Sequence, residues 1–210
     1  MKINDLEYDI LKEIFNIGVG RAASMLSEIV DKKILLDVPR IELFYQKDQD
    51  LNLNSLPNIL EGTLLISSIK FGDKLTGKAN LIFPAIKTRE LINICLNKDE
   101  KCNCSDVNFT DVDFDIIKEI GNIVLNSIIG EIGNHLNTDL IYSIPEVKVF
   151  NTIDLKKDIE SKPYTYILIL YITFIIDGIK IEGSIIIEFT LESLNTLLSK
   201  INQIGDELNE

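Results

Sequence analysis

Histidine is almost missing: the 210 residues hold one, His135, beside three cysteines, Cys95, Cys102 and Cys104. With one histidine and no matching motif, a Ser-His-Asp set and an HExxH zinc helix are excluded, and no Gly-rich phosphate loop is present. Cys102-x-Cys104 with Cys95 upstream does not make the paired C-x2-C pattern of a zinc site. These cysteines read as free thiols, Cys102 and Cys104 in a polar linker, and an odd count suits the reducing cytoplasm. His135 is expected on the polar side of its helix. Long hydrophobic runs are also missing. The longest, Tyr164–Ile176, spans thirteen residues, too short for a membrane helix, and its β-branched and aromatic content suits a buried strand. The opening MKINDLEYD has no apolar core of the signal-peptide kind. Basic residues are in deficit, 21 Lys and Arg against 33 Asp and Glu, for a net charge of −12. That balance argues against a nucleic-acid partner and against an anionic membrane surface. A cytoplasmic protein that meets other proteins is the expectation.

What the chain does have is apolar content of 46%, enough for one sizeable core, and an internal echo. Asp5–Ile17, DLEYDILKEIFNI, returns 106 positions later at Asp111–Ile123 as DVDFDIIKEIGNI, with eight of thirteen residues identical. The identities include polar positions: Asp9 and Asp115, Lys12 and Lys118, Glu13 and Glu119, Asn16 and Asn122. The same offset relates Pro39 to Pro145, Gly72 to Gly178, Gly77 to Gly183 and Phe83 to Phe189. Two long units point to a duplicated domain with pseudo-two-fold symmetry. The expected organisation is one domain over 1–210, made of repeats 1–97 and 108–210 joined by the polar linker 98–107. Internal duplication makes a monomer plausible.

Periodicity predicts a helix over Leu6–Val30, capped by Asp5, with Gly18 and Gly20 inside it. Each glycine costs ~1 kcal/mol relative to alanine, so close approach of another backbone or of a partner is expected there. A strand follows, interrupted by Pro39, which belongs at an edge or a bend. Gln46–Ile59 reads as a loop, Leu60–Phe71 and Lys78–Phe83 as a hairpin, and Ala85–Leu96 as a helix. The second half is predicted to repeat this order: helix Val112–Asn137 capped by Asp111, strand Leu140–Phe150, loop Asn151–Pro163, hairpin Tyr164–Asp177 and Lys180–Phe189, helix Leu191–Glu207. Each unit is helix, strand, β-hairpin, helix. The fold class is α+β, with a central antiparallel sheet shared by the two units and the long helices on an outer face.

Residues three or four apart share a helix face, so Asp9, Glu13 and Asn16 form one polar row and Asp115, Glu119 and Asn122 another. A single such row is ordinarily a solvated face. Asparagine, however, prefers caps and turns, and here it stands mid-helix twice, three residues after glutamate each time. A carboxamide both donates and accepts, so it is able to hold a water in line with an electrophile. A glutamate is able to anchor a partner's cation. This is the chemistry of positioning rather than of covalent catalysis.

The pattern Asp-x3-Glu-x2-Asn, with 22 residues between Asn and Pro, occurs twice: Asp9, Glu13, Asn16, Pro39 and Asp115, Glu119, Asn122, Pro145. It resembles the CheC-type phosphatase family of bacterial chemotaxis, which includes CheX and FliY, and most of all its duplicated CheC form. The resemblance spans essentially the whole chain. It implies hydrolysis of the aspartyl phosphate of the response regulator CheY, with no cofactor on this chain and Mg²⁺ on the phosphorylated partner. It implies that Glu13 and Glu119 anchor a partner lysine and that Asn16 and Asn122 orient the attacking water. Asp9 and Asp115 take the motif's first position as binding residues, and Pro39 and Pro145 shape the strand behind each helix. The deamidase CheD is the implied second partner. One departure stands out: Gly121 precedes Asn122 as is common in the family, whereas Phe15 precedes Asn16 and either faces the core or crowds the first site. A non-enzymatic interaction protein, either like the middle domain of the flagellar switch protein FliM or as a CheD-binding regulator, is the alternative. A further switch domain of the FliY kind is not expected after Glu210.

Overall fold

The computed structural model describes residues 4–45, 62–73, 75–97, 108–160 and 166–208. The predicted loop Gln46–Ile59 and linker 98–107, with Cys102 and Cys104, lie outside them. In chain order the elements are α1 (Asp5–Val30), β1 (Ile34–Tyr45), β2 (Thr63–Gly72), β3 (Gly77–Pro84), α2 (Ala85–Cys95), α3 (Asp111–His135), β4 (Ile141–Tyr142), β5 (Glu146–Asn151), α4 (Thr152–Glu160), β6 (Tyr166–Ile176), β7 (Ile179–Phe189) and α5 (Leu191–Leu208).

The two long helices start in the same way, each capped one residue earlier than the sequence suggests. Asn4 Oδ1 accepts from the Glu7 N–H at 2.8 Å while the Asn4 N–H donates to Glu7 Oε2 at 2.9 Å. Thr110 and Asp113 repeat this reciprocal capping box at the head of α3. Asp5 and Asp111 are therefore the first helical residues, not the caps. An acid at the third helical position makes the neighbour that can trade hydrogen bonds with it the better cap.

All strands pair antiparallel in one sheet of order β1-β6-β7-β3-β2, with β4 and β5 both on the outer side of β2. β1, from the first half of the chain, is bonded to β6 from the second, and β5 from the second half is bonded to β2 from the first. On one face of the sheet, α1, α2, α3 and α5 contribute with the strands to a single core that includes Leu11, Phe15, Leu91, Val124, Phe174 and Leu197. The other face carries a smaller cluster of Leu64, Ile66, Ile82, Ile167, Ile169 and Ile186, joined by Leu155 of α4.

Two expectations need correction. The strand predicted over Leu140–Phe150 is broken into β4 and β5 at Ser143–Pro145. Proline has no N–H for the ladder; beside the break Ser143 pairs with Lys70, its N–H donating to the Lys70 carbonyl oxygen at 2.9 Å and its hydroxyl accepting from the Lys70 N–H at 2.9 Å. The predicted loop Asn151–Pro163 contains α4. Asn151 Oδ1 accepts from the Asp154 N–H at 2.8 Å, starting the helix, and Leu155 is its buried anchor. One apolar anchor in a polar stretch leaves no periodicity to read.

α1 and α3 cross in opposite directions: Arg21 is ion-paired with Glu131, and Met25 lies 4.0 Å from the Ser127 hydroxyl. At the crossing, a Cβ on Gly18 would stand 2.9 Å from Ile128 Cα. The close approach expected of a mid-helix glycine is met at Gly18. At Gly20 no other backbone approaches, since nothing among the described residues lies within 4 Å of where a Cβ would sit.

Candidate functional site

Asp9, Glu13 and Asn16 are all exposed, in a row along α1, while Ile10, Leu11, Ile14 and Phe15 beside them are buried. On α3, Asp115 and Glu119 are exposed and Asn122 is half-buried, above Ile117, Ile120 and Ile123 in the core. Side chains at this spacing have Cβ atoms about 5–6 Å apart. Each glutamate and its asparagine are thus close enough to touch one visiting group. Neither pair is sealed inside the protein.

The two rows sit on different foundations. Phe15 is fully buried, so it faces the core and does not crowd Asn16. Its counterpart Gly121 lies against β2, where a Cβ would stand 2.1 Å from Ser67 Oγ. Absence of a side chain lets the α3 backbone settle onto the strand, and Asn122 is correspondingly less exposed than Asn16.

The prolines mark a shared feature of the sheet's two edges. The β1–β6 register steps by one between Asp37 and Arg40, around Val38 and Pro39. The pairings Ser68↔Glu146 and Phe71↔Tyr142 likewise differ by one, around Pro145. A residue without an N–H is tolerated where the ladder bulges at an edge.

Sequence reasoning missed one contact. Asn126, a turn beyond Asn122, donates from Nδ2 to Asn122 Oδ1 at 2.8 Å. Its own Oδ1 is buried and has no hydrogen-bond partner among the described residues. A second mid-helix asparagine four residues after the first was the available signal, since the residue is a poor helix former. The matching position on α1 is Gly20, and among the described residues no side-chain hydrogen bond reaches Asn16.

The other chemistry-bearing residues lie elsewhere. His135 is half-buried with Nδ1 2.9 Å from the Glu131 carbonyl oxygen. Cys95 is a free thiol pushed up to about 11 by burial, with Lys32 acting weakly the other way. Among the described residues no group of three or more His, Cys, Asp and Glu is placed to hold a metal ion. No helix among them is long and apolar enough to cross a membrane. The rows of α1 and α3 offer carboxylates and carboxamides on open helix faces, a set that binds, orients and accepts protons but supplies no strong nucleophile.

Comparison with known proteins bears on these rows. Residues 6–43 match the model of the CheC-like family, a segment that carries Asp9, Glu13, Asn16 and Pro39; the second copy of the pattern lies beyond it. Over 150 residues the chain is 25% identical to the CheY-P phosphatase CheC of Bacillus subtilis strain 168, which covers 70% of this chain and 68% of that one. Among solved structures, Thermotoga maritima FliY superposes with a TM-score of 0.75 at 16% identity, over 97% of this chain and 99% of that one. The FliM middle domain of H. pylori gives 0.61 at 14% identity, over 94% and 99%, and Vibrio vulnificus CheX gives 0.51 at 17%, over 83% and 97%. At those identities the structures establish a common α+β fold. The chain is thus similar to the CheC-like family in sequence over residues 6–43, to the Bacillus protein over 150 residues, and to FliY, FliM and CheX in fold.

Proposed function

We propose that this protein is a phosphatase that hydrolyses the aspartyl phosphate of a CheY-type response regulator. The observation that carries the reading is a Glu-Asn pair open to the surface on each of two long helices, exposed Glu13 with exposed Asn16 and exposed Glu119 with half-buried Asn122. In this reading the partner docks on the helix face, and a glutamate takes up its lysine. The asparagine carboxamide holds a water in line with the phosphorus. The water oxygen attacks, the bond from phosphorus to the partner's carboxylate oxygen breaks with its electrons going to that carboxylate, and orthophosphate leaves as the water gives up a proton. The chain supplies position rather than covalent chemistry. Mg²⁺ belongs to the phosphorylated partner. The similarity of the Bacillus relative, named a CheY-P phosphatase, supports this assignment, as does the position of the first Glu-Asn pair inside the family match.

The fold alone does not separate this from a non-enzymatic switch component or a CheD-binding regulator, since chains named FliY, FliM and CheX share it. The polar pairs favour the hydrolase. The test is to follow loss of phosphate from phosphorylated CheY with the parent protein, Asn16→Ala, Asn122→Ala and the double variant. The double variant should leave only intrinsic decay while circular dichroism shows the fold intact. Undiminished acceleration by the double variant would defeat the roles given to the asparagines, and no acceleration by the parent would favour the binding alternatives.

A further inference from the structure

Asn126 is costly to the protein in two ways. It is a poor helix former in the middle of α3, and it holds a buried carbonyl oxygen with no hydrogen-bond partner among the described residues. A buried group left unsatisfied calls for an explanation. Among the described residues, the side chain's hydrogen bond runs from Nδ2 to Asn122 Oδ1 at 2.8 Å. In that bond Asn126 is the donor and the Asn122 oxygen the acceptor. One lone pair of Oδ1 is taken up by Asn126; the second lone pair and both N–H donors remain for a visitor. On α1 the corresponding residue is Gly20, with open space around it, and Asn16 is exposed.

We propose that Asn126 is a positioning residue for the second site, presetting the Asn122 carboxamide for the water it holds, and that Gly20 leaves the first site without this device. The proposal rests on the hydrolase reading above. A side chain already fixed in its working rotamer loses less freedom when the partner arrives. The second site is therefore the faster of two sites that share the same Glu-Asn letters, and the difference lies in turnover, because Asn126 acts through the Asn122 carboxamide.

The experiment uses single-site forms of the full chain. In the Asn16→Ala background, where the second site alone remains, Asn126→Ala should lower kcat for phosphorylated CheY by on the order of three- to tenfold, the worth of one ordinary hydrogen bond. KM should be unchanged. Asn126→Asp keeps the shape but replaces a donor by an acceptor, so it should turn the carboxamide round and lower kcat at least as far. In the Asn122→Ala background, Gly20→Asn should raise the kcat of the first site. A residue kept only for structure would behave differently: its loss would lower the unfolding midpoint and leave the split between kcat and KM unmoved. Because Asn126 carries an unpartnered buried oxygen, its replacement by alanine should leave thermal stability level or higher. The Asn122 side-chain amide signals, followed by nitrogen-15 NMR, should shift and broaden in Asn126→Ala. Equal kcat with and without Asn126 in the Asn16→Ala background overturns the proposal while leaving the hydrolase reading standing. No acceleration by the parent chain overturns the hydrolase reading and this proposal with it.

Discussion

Replacing Gly121 by alanine tests how α3 is seated on the sheet. A methyl group there would stand 2.1 Å from Ser67 Oγ and 2.4 Å from Ser67 Cβ. The hydroxyl has room to rotate away, but the Cβ is fixed by the backbone of β2, so α3 has to lift. Overpacking of this kind costs about 1–3 kcal/mol, and removing a glycine from a helix interior returns about 1 kcal/mol. The net loss should be up to about 2 kcal/mol, and each kcal/mol moves the unfolding midpoint of a domain this size by about 2–4 °C. Ser67→Gly removes both offending atoms and leaves Ser67 Cα 3.9 Å from the new methyl, an ordinary contact. Gly121→Ala should therefore be neutral or stabilising in the Ser67→Gly background, with a coupling energy of about 1–3 kcal/mol in the double-mutant cycle. Urea unfolding of the four proteins, read with a common m-value, provides the measurement. If Gly121→Ala alone is as stable as the parent and shows no coupling to Ser67→Gly, the close seating of α3 is refuted, and with it the account of why Asn122 lies deeper than Asn16.

Four further outcomes are expected. Arg89 Nη1 lies 3.0 Å from the buried carboxylate of Asp113, so Arg89→Met, which strands that charge, should cost about 3–5 kcal/mol in urea unfolding. Burial pushes the Asp113 carboxyl upward, but hydrogen bonds from the Thr110 N–H and hydroxyl and the Arg89 guanidinium outweigh it and hold the group below its usual range. Its stabilisation is present above the unfolded value of about 3.9 and is lost as pH falls through the lower folded value, so an acid titration of stability should show the parent and Asp113→Asn converging below about pH 4. Asn4→Ala and Thr110→Ala each remove one half of a capping box and should each cost about 0.5–2 kcal/mol by thermal melting. In a Cys102→Ser, Cys104→Ser background, Cys95, with its thiol raised to about 11, should react with a disulfide reagent at pH 8 far more slowly than an ordinary thiol, because little thiolate is present.

The long helices were legible because their apolar rows recur over seven turns; the observed spans Asp5–Val30 and Asp111–His135 depart from the predicted ones by one or two residues. The hairpins were legible because alternation and turn residues act locally. Which strand lies beside which was not. Alternation says which residues share a face, not whose backbone they meet, and the pairing of β1 with β6 and of β5 with β2 joins segments more than 70 positions apart in the chain. The polar rows at Asp9, Glu13, Asn16 and Asp115, Glu119, Asn122 were found by looking for sameness between two segments. That same habit hid Asn126, because its importance lies in a difference, glycine at one position and asparagine at its counterpart.

The difference extends beneath the rows. Phe15 is fully buried beneath α1, while Gly121 lies against Ser67, and the two asparagines that follow end at different depths. Depth changes what a carboxamide is able to do: an exposed one samples its rotamers in water, whereas a half-buried one is able to be held by a neighbour it always meets. Two helices with the same Glu-x2-Asn spacing therefore need not make equal sites, and the residue below the asparagine together with the residue one turn after it decides how ordered each carboxamide is before any partner arrives. Exchanging those two features between the helices separates their effects. Gly20→Asn supplies the neighbour without changing the depth of Asn16, and Gly121→Ala lifts Asn122 without removing its neighbour. If depth alone governs, only the second change should alter turnover; if the neighbour governs, the first should raise the α1 site while the second leaves most of the α3 site's activity in place.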